Sequence, residues 1–434
     1  MKRIIQKDNN NFINEIESII VKDFFDDTLD STIKEILNDV YENKDDALCR
    51  YTFQYDNVDL IPSQIRVKED DITQASTMVG KPYLQMLEKV KKNIETFYLQ
   101  YTVNDISCGK PNSFLCMLRH KPLESIGVYI PGGSAPLVST VLMTVVVAQV
   151  AGVKEITVVS PPTAEGTISP YILAACQLCG IANVFRVGGA QAIAALAFGT
   201  QTIPKVDKIV GPGNKYVTAA KRLVYGSVDI DMVAGPSEIL VFADKSANPS
   251  FVTADLLSQA EHDPDSRVFL VTDSYELIEE VEKEISIQLQ SLSRKQIILP
   301  CLNTHGFIIL VESLLDGISI TNKIAPEHCE VMTKDAYGDA LKITNAGAVF
   351  VGNYTPESVG DYIAGPSHVL PTGGSARFFS GLSVSSFLKS FSLIHYSKEK
   401  LLEDSPVIEY IAQLEGLEAH RKAVEMRTQE FKRE

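Results

Sequence analysis

The chain has 434 residues, 45% of them hydrophobic, which is enough to bury large cores and to divide into two or more domains. A formal net charge of −15 argues against nucleic acid as a partner, since phosphate binding needs clustered Lys and Arg; a small cationic substrate suits it better, although net charge bears on association and not on chemistry. The seven cysteines are odd in number and scattered, and the chain begins without a secretory h-region, so the cytoplasm is the expected compartment.

Through the first hundred residues apolar positions recur at helical spacing, as in Ile33, Ile36, Leu37 and Val40, and again over residues 83–98. This part is predicted to be mostly helix. Residues 125–153 carry no charge, but Pro131, Gly132, Gly133 and Pro136 break the first half, and the remaining 137–153 falls short of the ~20 residues a bilayer needs. A buried helix between strands is expected there, and no membrane partner. From residue 126 the texture changes to short β-branched runs between alanine-rich helices, at 126–130, 156–159, 184–187 and 208–210. That alternation marks βαβ units around a parallel sheet. A second block, with runs at 239–242, 267–271 and 348–351, predicts a second α/β domain. Cys176 and Cys179 fall in an apolar helical pattern without a second pair, which favours buried thiols over a redox or zinc pair. Residues 398–434 are charged and helical, an appended arm.

Three glycine-rich turns follow predicted strands: Pro131-Gly132-Gly133, Gly188-Gly189-Ala190-Gln191 and Gly211-Pro212-Gly213-Asn214. Such turns let backbone N–H groups and a helix N-terminus meet an anion such as pyrophosphate, but none is a full G-x-G-x-x-G, and tight βα turns without a ligand account for them equally well. Gln259 and His262, three apart, share one helical face, with Pro264 expected to end the helix just after His262. Such a pair is common on solvated faces and gains weight only with partners. Asp361, in a glycine-rich loop, and His420, near the C-terminus, are the candidates. An N/O donor set without thiolate suits zinc, manganese or cobalt. Glu327-His328, just after Pro326, places a carboxylate beside an imidazole, an arrangement suited to general acid–base work. His120, His305 and His395 read as structural.

These segments resemble the histidinol dehydrogenase family. The resemblance rests on Gly127-Val128-Tyr129-Ile130-Pro131-Gly132-Gly133, Gly189-Ala190-Gln191-Ala192, Gly211-Pro212-Gly213-Asn214-Lys215-Tyr216, Ala234-Gly235-Pro236-Ser237-Glu238, Gln259-Ala260-Glu261-His262-Asp263, Ala325-Pro326-Glu327-His328, the loop from Asp361 to His368, and the stretch from Glu415 to His420. It implies two Rossmann-like α/β domains with parallel sheets: residues 129–236 binding NAD, and residues 26–128 with 237–381 carrying the metal and acid–base groups. A helical N-terminal segment, 1–25, and a helical C-terminal arm, 382–434, complete the chain. The resemblance further implies oxidation of L-histidinol to L-histidine with NAD, and one zinc per subunit, replaceable by manganese or cobalt, on Gln259, His262, Asp361 and His420. Substrate would contact Ser237, His328, Glu415 and the metal ligands; NAD would lie near Tyr129, Gln191 and Asn214; Glu327 and His328 would be the proton-transfer pair. It implies a homodimer in which the arm, with His420, completes the partner's site. His368 has no assigned role.

Two other routes remain open in the sequence: a cysteine nucleophile, Cys116 or Cys329, and a metal-dependent binding protein without the chemistry. A zinc hydrolase lacks its H-E-x-x-H signature.

Overall fold

The computed structural model describes residues 1–20, 27–132 and 136–431. The strands in chain order are β1 (Lys2–Ile5), β2 (Ile106–Gly109), β3 (Phe114–Pro122), β4 (Ser125–Tyr129), β5 (Glu155–Ser160), β6 (Val184–Arg186) and β7 (Lys208–Val210). They continue with β8 (Asp229–Ile230), β9 (Glu238–Ala243), β10 (Arg267–Thr272), β11 (Gly306–Leu310), β12 (His328–Met332), β13 (Ala348–Val351) and β14 (Leu388–Tyr396). The chain divides into two compact units, Met1–Gln100 with Leu123–Phe387, and Tyr101–Pro122 with Leu388–Glu434.

The first unit contains two parallel sheets built to one plan. In the five-stranded sheet the order is β6-β5-β4-β7-β8. The chain enters at β4, steps outward through β5 and β6, then returns to place β7 on the other side of β4. In the six-stranded sheet the order is β1-β11-β10-β9-β12-β13, with β9 the entry strand, β12 the return and β1 added at the edge. Each sheet therefore has a point where the strand order reverses, between β4 and β7 and between β9 and β12; open sheets of this kind take ligands at the carboxyl ends of the strands there, as β4 and β7 would, whereas Glu238 and His328 stand at the amino ends of β9 and β12.

Period-two burial explains why the six-stranded sheet reads as continuous hydrophobic runs. Ile239, Val241 and Ala243 of β9 join one core while Leu240 and Phe242 join the core on the opposite face. In β12, Cys329 and Val331 belong to the second core and Met332 to the first, so His328 and Glu330 point toward the face covered by the helix Pro249–Ala260. The helix Asp27–Asp56 packs Ile33, Ile36, Leu37 and Val40 into the core around the five-stranded sheet. A cut at residue 128 falls inside β4, and a cut at 25 lies outside the described residues.

The expected buried helix spans Val138–Ala151 and has ten buried side chains; among the described residues no helix is long and apolar enough to cross a membrane. Cys176 and Cys179 are buried and free, and burial pushes the Cys179 thiol up to about 12. Two strands departed from the helical reading of the chain's ends. β1 pairs with β11 as an edge strand with only Ile4 buried, and β14 pairs with β3 in the antiparallel sheet β14-β3-β2 of the second unit. Beyond β14 the second unit is helical as expected, over Lys398–Leu414 and Glu418–Phe431.

Candidate active site

The acid–base candidates come from the amino end of β12. The helix Leu314–Ile324 closes at Ala325 in the left-handed region (φ 52°), Pro326 follows, and the chain enters the sheet at His328. Glu327 is therefore the last residue before a strand, and the pair does not lie in a free loop. The backbone of Glu327 is pinned by the Ala348 N–H at 2.9 Å. On the adjacent strand Glu238 serves both side chains: its N–H donates to Glu327 Oε2 at 2.9 Å, and its carbonyl lies 3.0 Å from His328 Nδ1.

The imidazole's surroundings select its tautomer. Nδ1 faces the Glu238 carbonyl, Gln259 Oε1 at 3.1 Å and Glu357 Oε1 at 3.4 Å. A backbone carbonyl only accepts, so Nδ1 carries the hydrogen and Nε2 presents its lone pair. Nε2 is buried and has no hydrogen-bond partner among the described residues. Burial lowers the His328 pKa to about 4, against the pull of the Asp361 charge, while burial raises Glu327 well above the ordinary carboxylate range, opposed by the Glu238 N–H.

Gln259 is fully buried on the helix Pro249–Ala260, and its Nε2 has no partner among the described residues. The helix ends at Ala260, two residues earlier than Pro264 suggested, because Asp263 already opens the next turn by accepting from the Asp265 and Ser266 N–H groups. His262 thus sits exposed just past the helix, its N–H held by the Gln259 carbonyl at 3.2 Å. Asp361 lies on the short helix Glu357–Tyr362, not in a loop; the glycine-rich turn follows it. Desolvation raises its carboxyl, opposed by His328 and His262. One ligand atom each from His328, Glu357 and Asp361 lies within 4.8 Å of the others. His368 Nδ1 is 3.8 Å from Asp361 Oδ1, and burial lowers its pKa to about 4.

The nucleotide candidates lie at the carboxyl ends of β4 and β7 and beyond β6, around the reversal point of the five-stranded sheet. Tyr129 ends β4, and its hydroxyl accepts from the Gly189 N–H at 3.1 Å. Gln191 is buried in the helix Gly189–Phe198 with Oε1 unpartnered among the described residues. Asn214 is the N-cap of the helix Lys215–Val224, its Oδ1 accepting from the Tyr216 and Val217 N–H groups at 3.1 Å. Of the first glycine turn, Gly133 falls outside the described residues. Ser237, half-buried, precedes β9; Glu415 and His420 belong to the second unit, at the C-cap of Lys398–Leu414 and on Glu418–Phe431.

A family model described as histidinol dehydrogenase matches residues 22–428. The histidinol dehydrogenase of Bacillus cereus is 46% identical over 407 residues, 94% of each chain, and that of Clostridium acetobutylicum 47% identical over 396 residues, 91% of each. The chain belongs to the histidinol dehydrogenase family. The crystal structure of histidinol dehydrogenase from Elizabethkingia anophelis superposes with a TM-score of 0.91 at 41% identity, covering 100% of this chain and 99% of that one.

As a member of the histidinol dehydrogenase family the chain is an oxidoreductase, and its site holds residues that motif reading passed over. Glu357 faces His328, Glu330 accepts from the Glu357 N–H at 2.8 Å, and Arg267 pairs with Glu238 at 2.9 Å. Their only sequence signal is a charge inside an otherwise apolar strand, as for Arg267 and Glu330. Cys329 is buried in the opposite core with its thiol pushed well up, which removes the nucleophile reading for that residue.

Proposed function

We propose that this chain is a zinc-containing, NAD-dependent histidinol dehydrogenase that oxidises L-histidinol through L-histidinaldehyde to L-histidine in histidine biosynthesis, as a cytoplasmic homodimer. The observation that carries the reading is the His328 ring, with Nδ1–H engaged by the Glu238 carbonyl and 3.9 Å from Glu327 Oε2, and with Nε2 buried and bare.

The donor set fits a divalent cation of the zinc class, since it combines imidazole, carboxylate and amide oxygen without thiolate. Gln259, His262 and Asp361, with His420 from the partner subunit, would hold it. When bound, zinc supplies a fixed charge that holds the amine and imidazole of the substrate, and NAD supplies the acceptor for two electrons in each oxidation. The unpartnered Gln191 Oε1 and the helix start at Asn214, both beyond strand ends of the five-stranded sheet, support placing the dinucleotide there.

In the first oxidation His328 Nε2 takes the hydroxyl proton while the carbinol carbon gives up its hydride, leaving the aldehyde. Glu327 then takes a proton from water as the water oxygen bonds to the carbonyl carbon, His328 Nε2 returns its proton to the carbonyl oxygen, and the hydrate forms with the imidazole neutral again. In the second oxidation His328 Nε2 removes a proton from the hydrate as the second hydride leaves, giving the acid. Ser237 and Glu415 orient the substrate. Keeping both steps in one buried site retains a reactive aldehyde.

NADH absorbance with limiting L-histidinol tests this, before and after chelation and again after zinc is restored. Two NADH per histidinol, lost and regained with metal, is the expected result. One NADH means the aldehyde escapes and Glu327 is misassigned; none, with metal bound, refutes the activity.

A further inference from the structure

Glu327 and His328 do not hold themselves in place. Both are anchored on Glu238, through its N–H and its carbonyl, at 2.9 and 3.0 Å. The orientation of the Glu238 backbone thus sets the carboxylate, the ring and the tautomer together. What fixes that backbone comes from the other neighbouring strand: Arg267 of β10 stands in register with Glu238, its guanidinium NH1 donates to Glu238 Oε1 at 2.9 Å, and its own N–H bonds the Ser237 carbonyl at 2.9 Å. Glu238 Oε2 accepts a further hydrogen bond from the Gly373 N–H at 3.0 Å. Glu238 is fully buried and Arg267 8% exposed. Buried ion pairs of this kind add little to stability over apolar residues of like shape, and in some proteins their role is to fix a geometry instead.

We infer that the Arg267–Glu238 ion pair is the positioning device of the acid–base pair, holding the Glu238 peptide so that Glu327 and His328 keep their working geometry through both oxidations. The inference rests on the function proposed above. Neither residue touches the reacting atoms in this account; each acts through the Glu238 backbone.

The unaltered holoenzyme is measured first. If it forms no NADH from L-histidinol, the functional reading fails, independently of any variant. If it forms two, Glu238→Gln and the double variant Glu238→Gln/Arg267→Met, which leaves no unpaired charge, decide the inference. Metal content and KM for L-histidinol are expected to stay as in the parent, while kcat falls about 100-fold from either L-histidinol or L-histidinaldehyde, the loss that a displacement of about 1 Å brings. A kcat unchanged per folded, metal-loaded molecule would make the pair merely structural and overturn the inference. A loss confined to one of the two substrates would overturn it too, because the two side chains would then be held separately. Should neither variant fold, Arg267→Lys carries the same test, since it keeps the charge and loses the planar fork.

Discussion

Desolvation disfavours whichever form of a group carries charge, so one buried pocket pushes the Glu327 carboxyl up and the His328 imidazole down, to about 4. A neutral imidazole with a free Nε2 is then the resident base at physiological pH, and Glu327 becomes a stronger base than an exposed carboxylate. The two have different tasks in the proposed cycle, which a substitution separates. Glu327→Gln keeps the shape and loses the base, so it is expected to retain the first oxidation and slow the hydration step by about 10²–10⁴. The readout is product per histidinol: one NADH with trapped L-histidinaldehyde, where the parent gives two NADH and L-histidine. Equal loss of both oxidations would show that Glu327 is needed before water enters.

At the scale of elements, the strands and helices of the sheets were legible because period-two and helical burial leave direct marks, and β13 runs over the residues the pattern marked. β1 and β14 were not, since an edge strand with one buried residue and a strand exposed along most of its length have no apolar face to print. The site was legible as residue types and adjacency, in Gln259, Glu327, His328 and Asp361. Glu357 was hidden because its meeting with His328 depends on how a six-residue helix is laid against β12. The nucleotide turns show why glycine spacing alone decides little. Gly211 has φ +113°, and a Cβ there would stand 2.2 Å from the Tyr129 carbonyl oxygen, which is main chain and cannot swing aside. Its N–H bonds Asp231 Oδ2 at 2.8 Å and its carbonyl accepts from Lys221 at 2.9 Å, so the turn is held on both sides. Gly211→Ala is therefore expected to destabilise the protein by about 1–3 kcal/mol and to weaken NAD binding by displacing Tyr129. Denaturant melts and a dinucleotide titration measure both; unchanged NAD affinity in a destabilised variant would remove Tyr129 from the cofactor site.

At the scale of the molecule, the second unit shows many large apolar side chains on its surface: Phe391 and Ile394 on β14, Tyr410, Ile411 and Leu414 on the helix Lys398–Leu414, and Met426 beyond. Such a concentration on so small a unit suits a surface covered by another chain. In the proposed homodimer that chain is a second copy, and His420 of the partner subunit completes the metal site. The arrangement predicts complementation between two inactive variants. His328→Asn lacks the base but keeps its arm; His420→Asn lacks the arm's ligand but keeps its base. In a mixed dimer one site combines the intact base of the second variant with the intact arm of the first, while the other site carries both defects. Random assortment of equal amounts makes half the dimers mixed, each with one good site in two, so co-expression is expected to restore about a quarter of the parent activity from two parents that have almost none. If each arm served its own subunit's site, no mixture would regain activity, however the subunits exchanged. The metal content of the pure His420→Asn dimer supplies the independent check: it should fall with the melting transition preserved, and full metal occupancy there would place His420 outside the site whatever the mixture does.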